Sequence, residues 1–458
     1  MIPFGLLGGF CDHLEIRITG LSEEGFSFRV PDKIEKAACL EICFFDFSAD
    51  CYRKVQLAEK EREMKLTEET PFFFIYSVWT KNGEYREQVK RLVTDYDNYI
   101  SLKLAGDDAY LSEKMVGYPA ELDEVYAESF EEQKKEWFSC VGDGIQECRN
   151  TWEHKKWNIT DFPEFELAIT IDRPELYYDF LQKDWTRFCH DYWKNNFLEH
   201  HTLSQKRVTR IYIGNQFCHN LFPRKELLFQ VLEKALENNL AVTLAFSYIR
   251  NHLLEEIDEL LQELEVWCQS REKEAGKDQE EIIVNDWAMP ILLQGKPHLK
   301  PVLGVLLNKR RKDVRLPYKH GIGNHVDSLA ENNLNCGFYQ DYLKNTFDIQ
   351  RFEFESCGYK VTIPDGHHSL HLPFFQTNTS QYCTLYAVCR YGDRGKQKLP
   401  ENCPRYCNKK VFLYPKHLKM VGRYNSLFGY DEKILWDEKQ LQDYLEQGID
   451  RIVVNVSL

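Results

Sequence analysis

Arg210-Ile211-Tyr212-Ile213-Gly214, Ala241-Val242-Thr243-Leu244-Ala245-Phe246 and Glu281-Ile282-Ile283-Val284-Asn285-Asp286 are short apolar runs. Two stretches patterned as helices separate them, about Arg224 to Asn238 and His252 to Glu274. Strand–helix units repeated in register predict a parallel sheet with right-handed crossovers. Downstream, Pro301 to Leu307, Ile349 to Glu355, Ser369 to Leu372, a weak Val411 to Tyr414 and Arg451 to Val456 supply further strands. About eight strands over roughly 250 residues is the size of a (β/α)8 barrel. Some of the later helices are short or irregular, so the expectation for residues 208–458 is a distorted TIM-like barrel.

Upstream of that core the pattern changes. Residues 126–207 read as a mixed, mostly helical connection, with one strand at Phe165 to Ile171 and an aromatic helical stretch from Pro174 to Glu199. In residues 1–125, Leu14 to Ile18 alternates apolar with polar, and Leu21-Ser22-Glu23-Glu24-Gly25 makes a turn before Phe26 to Val30. That is a hairpin signal. Leu40 to Phe47, Phe72 to Trp79 and Tyr99 to Leu104 add strands, and a small antiparallel barrel packs them most economically. The fold class is therefore α/β plus β.

The 458 residues are 43% hydrophobic and 28% charged, which excludes a disordered or fibrous chain. A formal net charge of -14 argues against a global attraction to nucleic acid or anionic membranes. The N-terminus lacks the basic region of a signal peptide, and no apolar run approaches the ~20 residues of a membrane span. The expectation is a cytoplasmic protein without a membrane partner.

Fifteen cysteines without an export signal point to reduced thiols and a metal or cluster site rather than disulfides. Most are scattered, Cys140 and Cys148 among them, and suit small buried hydrophobes. Cys383, Cys389, Cys403 and Cys407 instead fall together in a stretch rich in Gly and Pro, where a loop chain can converge. Four thiolates suit a 4Fe-4S cluster or a tetrahedral Zn²⁺.

Other residues carry weaker signals. Asn285 and Asp286 end a strand, at the barrel rim where catalytic groups collect, and Asp286 suits proton transfer or substrate orientation as well as an N-cap. Asn308, Lys309, Arg310 and Arg311 follow another strand and suit a carboxylate or phosphate, or a solvated basic loop. Glu353 and Glu355 share one strand face. His367, His368 and His371 could ligate a metal, although a histidine-rich surface turn fits them better. The chain has no nucleophile elbow, phosphate-cradling Gly-rich loop or His-Glu-x-x-His helix, which counts against an ordinary serine or zinc peptidase.

The order of motifs in residues 208–458 resembles peptidase family U-32. Tyr212-Ile213-Gly214-Asn215 with Cys218 is similar to its opening strand and loop. Val284-Asn285-Asp286-Trp287, Leu303-Gly304-Val305-Leu306-Leu307-Asn308-Lys309-Arg310, the cysteine block and Asn425-Ser426-Leu427-Phe428 follow in the family's order. The resemblance implies a barrel and, in several branches, an oxygen-sensitive iron-sulfur cluster. Members described as collagenase-like peptidases stand beside others that hydroxylate tRNA, ribosomal RNA or a quinone precursor without O₂, with prephenate implicated. One branch implies Cys218, Cys389, Cys403 and Cys407 as ligands, and the others imply Cys383 with the later three. Leu21 to Phe28 faintly resembles the opening of PilZ-type barrels, without the Arg-rich arm that cyclic-di-GMP binding needs.

The expected function is O₂-independent hydroxylation, or a related redox modification, of a small molecule or an RNA, with Asp286, Asn308 and Arg310 in the substrate pocket. A peptide hydrolase with a structural metal is the alternative. A third possibility is a non-catalytic accessory protein that recruits a protein partner through its N-terminal domain.

Overall fold

The computed structural model describes residues 6–12, 14–34, 37–46, 51–70, 73–104, 129–139, 162–275, 279–310, 312, 330–393, 395–396, 398–400, 402–414 and 419–457. The chain divides into two compact units, Met1–Leu122 with Arg315–Leu329, and Asp123–Val314 with Ala330–Leu458.

In the first unit, β1 (Leu7–Cys11), β2 (Leu14–Ser22), β3 (Gly25–Val30), β4 (Cys39–Asp46), β5 (Cys51–Ala58), β6 (Arg62–Glu69) and β7 (Phe74–Thr80) precede helix α1 (Gly83–Leu104). The strands form one antiparallel sheet, ordered β5-β4-β1-β2-β3-β7-β6. Alternation decides which face is inside: Phe26, Phe28 and Val30 enter a core shared with Leu40, Ile42 and Phe44. Helix α1 places Tyr85, Val89 and Leu92 in that core, at the i, i+4, i+7 spacing of one helix face. Among the described residues no pairing joins β5 to β6, so the unit is a sheet with two edges. Three strands go unread in the sequence: the two edges, which carry charges such as Lys54, Glu63 and Lys65, and the short interior β1. Tyr99–Leu104, expected as a strand, instead completes α1, whose apolar residues recur with the helical period from Tyr85 onward.

The second unit contains α2 (Ser129–Ser139), β8 (Glu166–Ile171), α3 (Pro174–Gln182), α4 (Trp185–Asn195), β9 (Arg210–Gly214), α5 (Lys225–Glu237), β10 (Ala241–Ala245) and α6 (Leu254–Ala275). Next come β11 (Glu280–Val284), α7 (Ala288–Leu292), β12 (Leu299–Leu303), α8 (Gly337–Phe347), β13 (Glu353–Glu355) and β14 (His368–Leu372). The chain closes with β15 (Phe374–Thr379), α9 (Thr384–Tyr391), β16 (Phe412–Leu413), β17 (Met420–Arg423), β18 (Ser426–Tyr430), α10 (Glu438–Glu446) and β19 (Ile449–Val454).

Eight parallel strands run β12-β11-β10-β9-β8-β19-β14-β13, which is chain order around a ring. A lone bridge, Leu303 to Phe352, joins the ends, and the Leu303 amide donates to the Arg351 carbonyl at 3.0 Å. The result is a nearly closed parallel barrel with helices.

Two assignments change. β8 lies in the region expected to be a helical connection, 126–207, yet it is the first barrel strand, paired with both β9 and β19. Val411 to Tyr414, expected in the barrel, belongs to a separate antiparallel sheet, β15-β18-β17-β16, inserted between the last two barrel strands. The six residues between Leu413 and Met420 suit a hairpin and are too few for a parallel crossover.

The barrel interior is layered. Glu166, Arg210, Glu281 and Arg451 form an ion network, with Arg451 Nη1 2.6 Å from Glu281 Oε2 and Arg210 Nε 2.9 Å from Glu166 Oε1. Above it, Ala168, Tyr212, Ala245, Ile283, Val302 and Val453 make an apolar layer. The strand C-termini then open onto the mouth.

Candidate functional site

A cavity of about 30 Å³, room for one or two waters, opens in the mouth, lined among others by Thr170, Asp172, Tyr212, Glu355, His371 and Tyr424. Alternation aims Glu353 and Glu355 of β13, and Ser369 and His371 of β14, inward. Glu353 accepts from His371 Nε2 and from the Tyr212 hydroxyl at 3.1 Å. Burial works against ionised Glu353, and the hydrogen bond and charge of His371 override it, so its carboxyl lies below the ordinary range.

The three histidines do not converge. His367 is exposed beside Asp450, His368 is buried on the outer strand face with Nδ1 accepting from the Phe352 amide, and His371 faces the interior. The expected surface turn therefore holds only for His367. Burial pulls His368 down to about 4.

Beside the cavity lies a cleft of about 490 Å³, whose lining includes Asp286, Asn308 and Arg310. Asp286 caps helix α7: its Oδ1 accepts from the Ala288 and Met289 amides at 3.0 and 3.2 Å, while Oδ2 takes the Ile249 amide. Asn308 is buried, and its Nδ2 donates to the Glu353 carbonyl at 3.1 Å. Arg310 donates to the Cys357 sulfur at 2.9 Å and to the Glu355 carbonyl. Asn285 is structural, spanning the Phe246 carbonyl and the Leu306 amide. A Cβ on Gly304 would lie 2.1 Å from Asn285 Oδ1, so only glycine lets this strand end pass.

Every described cysteine is a free thiol, while Cys140 and Cys148 lie outside the described residues. Four thiols are mutual electrostatic neighbours: Cys383 is affected by Cys218, Cys407 and Cys403, Cys407 by Cys218 and Cys403, and Cys218 by Cys403. Both candidates for the fourth position, Cys218 and Cys383, thus join the group. Cys389 instead feels the charge of Lys410. The helix explains this. Cys383 is the N-cap of α9 and Cys389 lies in its body, and six helical residues advance about 9 Å and turn a side chain by about 120°.

Local structure aims the others. Asn215 Oδ1 accepts from the Phe217 and Cys218 amides, each at 2.9 Å, folding the chain after β9. Arg405 Nε donates to the Asn220 carbonyl at 3.3 Å, tying the Cys403–Cys407 loop to that turn. Burial pushes Cys218 up to about 11 and Cys407 up to about 12. Cys383 donates to the Tyr424 carbonyl at 2.9 Å, and Tyr424 lines the barrel cavity, as does Phe217 next to Cys218. Cys218 and Cys383 are therefore each one residue away from the lining of the mouth. Among the described residues, no three His, Cys, Asp or Glu side chains stand together as a ready site for a metal ion.

The grouping was half legible: four clustered cysteines are a sequence signal, but exchanging Cys389 for Cys218 requires the fold. Glu353 and His371 were singled out in the sequence but not as partners, and Tyr424 carried no signal. Among the described residues no helix is long and apolar enough to cross a membrane. No family model matches the chain, and neither a curated protein nor a solved structure shows significant similarity to it.

Proposed function

We propose that the chain is an iron-sulfur protein of the U-32 type, built on a distorted (β/α)8 barrel, that performs O₂-independent hydroxylation or a related redox modification of a small molecule or an RNA. The observation that carries this reading is the mutual proximity of Cys218, Cys383, Cys403 and Cys407 beside the barrel mouth. Four thiols from three chain segments are the donor set that a 4Fe-4S cluster takes, and a tetrahedral zinc ion takes the same set.

Bound there, the cluster would supply one-electron redox chemistry to the mouth. The chain's own residues supply the rest. Asn215 and Asn220 fix the loop that carries Cys218. Arg423 donates to the Cys407 carbonyl at 3.0 and 2.8 Å and places a positive charge next to that thiolate. His371, oriented by Glu353, can accept or return a proton in the cavity. Asn308 and Arg310 bind substrate in the cleft, whereas Asp286 acts through the α7 turn that it caps.

The test is anaerobic purification with iron, sulfide and zinc analysis and a visible spectrum. About four irons per chain with a broad absorbance near about 400 nm are expected in the wild type. Cys218→Ala and Cys403→Ala should lose them, and Cys389→Ala should keep them. One zinc and no iron would overturn the proposal in favour of a structural metal in a hydrolase or accessory protein.

A further inference from the structure

The charges at the base of the cleft do not balance. Lys312 Nζ contacts the Glu355 carboxylate and lies 3.2 Å from Gln376 Oε1, with 8% of the lysine side chain exposed. Glu355 has already spent Oε1 on the Gln376 amide at 2.8 Å. Arg310 is the electrostatic neighbour of Lys312, yet among the described residues it contacts only neutral acceptors, the Glu355 carbonyl and the Cys357 thiol. Burial raises the Cys357 thiol, so it stays protonated and supplies no countercharge. Among the described residues one carboxylate, that of Glu355, contacts Lys312 and none contacts Arg310, although Asp431 lies in the wider electrostatic surroundings of Cys357. Asp286, on the same cleft, has its oxygens bound by three backbone amides. Exposed Lys309 adds a further positive charge to the lining.

A second observation is independent of charge. Asn308 is 4% exposed, and its Oδ1 has no hydrogen-bond partner among the described residues although the side chain lines the cleft. A buried acceptor without a donor is unfavourable unless a ligand satisfies it. Trp287 and Tyr248 wall the same space with aromatic surface.

We infer that the cleft binds a small organic oxyanion, a carboxylate or phosphate, that also carries a hydroxyl group. The oxyanion supplies the countercharge missing between Arg310 and Lys312, through the charge-assisted hydrogen bonds that guanidinium and ammonium groups make with such oxygens. The hydroxyl donates to Asn308 Oδ1. This deepens the assignment of the cleft as the substrate site and does not depend on which metal the thiols hold.

Titration calorimetry on the full chain tests it, using glycerol 3-phosphate, inorganic phosphate, lactate and propionate as probes. Saturable binding of glycerol 3-phosphate or lactate, tighter than of its partner without the hydroxyl, is expected. The preferred pair tells phosphate from carboxylate. Arg310→Gln should weaken that binding by about tenfold or more, and Asn308→Ala should remove the preference for the hydroxylated probe. Lys309→Gln, at an exposed position, should weaken it a few-fold with the melting temperature unchanged, which keeps the test valid if Arg310→Gln fails to fold. No saturable binding of any probe, or binding indifferent to Arg310 and Lys309, overturns the inference. Iron analysis of the same samples reports separately on the cluster, so the two proposals fail independently.

Discussion

Glu281 shows how one residue organises the barrel floor. Burial opposes its ionisation, but Arg210 and Arg451 override that and hold its carboxyl down at about 2. Glu281→Gln would leave two buried guanidinium groups short of a partner, at a cost of about 3–5 kcal/mol in urea unfolding near neutral pH. A depressed carboxylate stabilises the fold above its unfolded value, here 4.5, and the contribution vanishes as pH falls through about 2. The gap between wild type and variant should therefore close across that window. Lys134 gives a pH dependence of the same sign at higher pH, but from a buried cation that costs stability at neutral pH. Burial drops it from 10.5 to about 7, with Nζ donating to Asn196 Oδ1 at 2.6 Å. Between those values the unfolded chain holds the extra proton, so this lysine makes stability rise with pH. Lys134→Met should flatten the rise in the urea midpoint between pH 7 and 9 relative to wild type, and an unchanged slope would refute the assignment. Neither behaviour is legible in sequence, where Glu281 and Lys134 read as ordinary surface charges.

At the scale of elements, the ends of β9 and α9 decide what the thiols can do. Gly214 ends β9 at φ 108°, and a Cβ there would lie 2.6 Å from the Ala245 carbonyl and 2.7 Å from the Phe222 ring. Gly214→Ala is expected to cost about 1–3 kcal/mol and to lower iron content by displacing the turn that carries Cys218. Cys383 accepts from the Tyr386 amide at 3.3 Å as the cap of α9. Serine caps at least as well, so Cys383→Ser should keep the melting temperature within a few degrees while losing iron, which separates the two roles of this side chain. The stretches read as strands at 210–214, 241–245 and 281–284 form the elements their apolar runs imply, because strands buried on both faces need no tertiary clue. The inserted sheet was less legible. Phe412–Leu413 is too short to declare its partners, and its antiparallel pairing with β17 is set by the fold.

Across the whole barrel, closure is uneven. The seven other neighbouring pairs form ladders, whereas β12 meets β13 through one bridge and β13 is three residues long. Hydrogen exchange should report this: amides of Glu353–Glu355 are expected to exchange faster than those of β9 and β10, and equal protection would show that the seam is as firm as the other pairs. Sequence by itself determined the β-rich start, the parallel α/β core and the presence of a cysteine-rich segment, because these follow from local periodicity and spacing. Tertiary structure decided the rest. It made β8 the first barrel strand, set Cys218 among thiols that feel one another's charge, bound Asp286 to the first amides of α7, and brought His371 to Glu353. Each of those outcomes depends on which strand lies beside which, and on where a helix turns a side chain, between residues separated by tens to hundreds of positions. Periodicity along the chain holds no information about such pairings until the barrel closes.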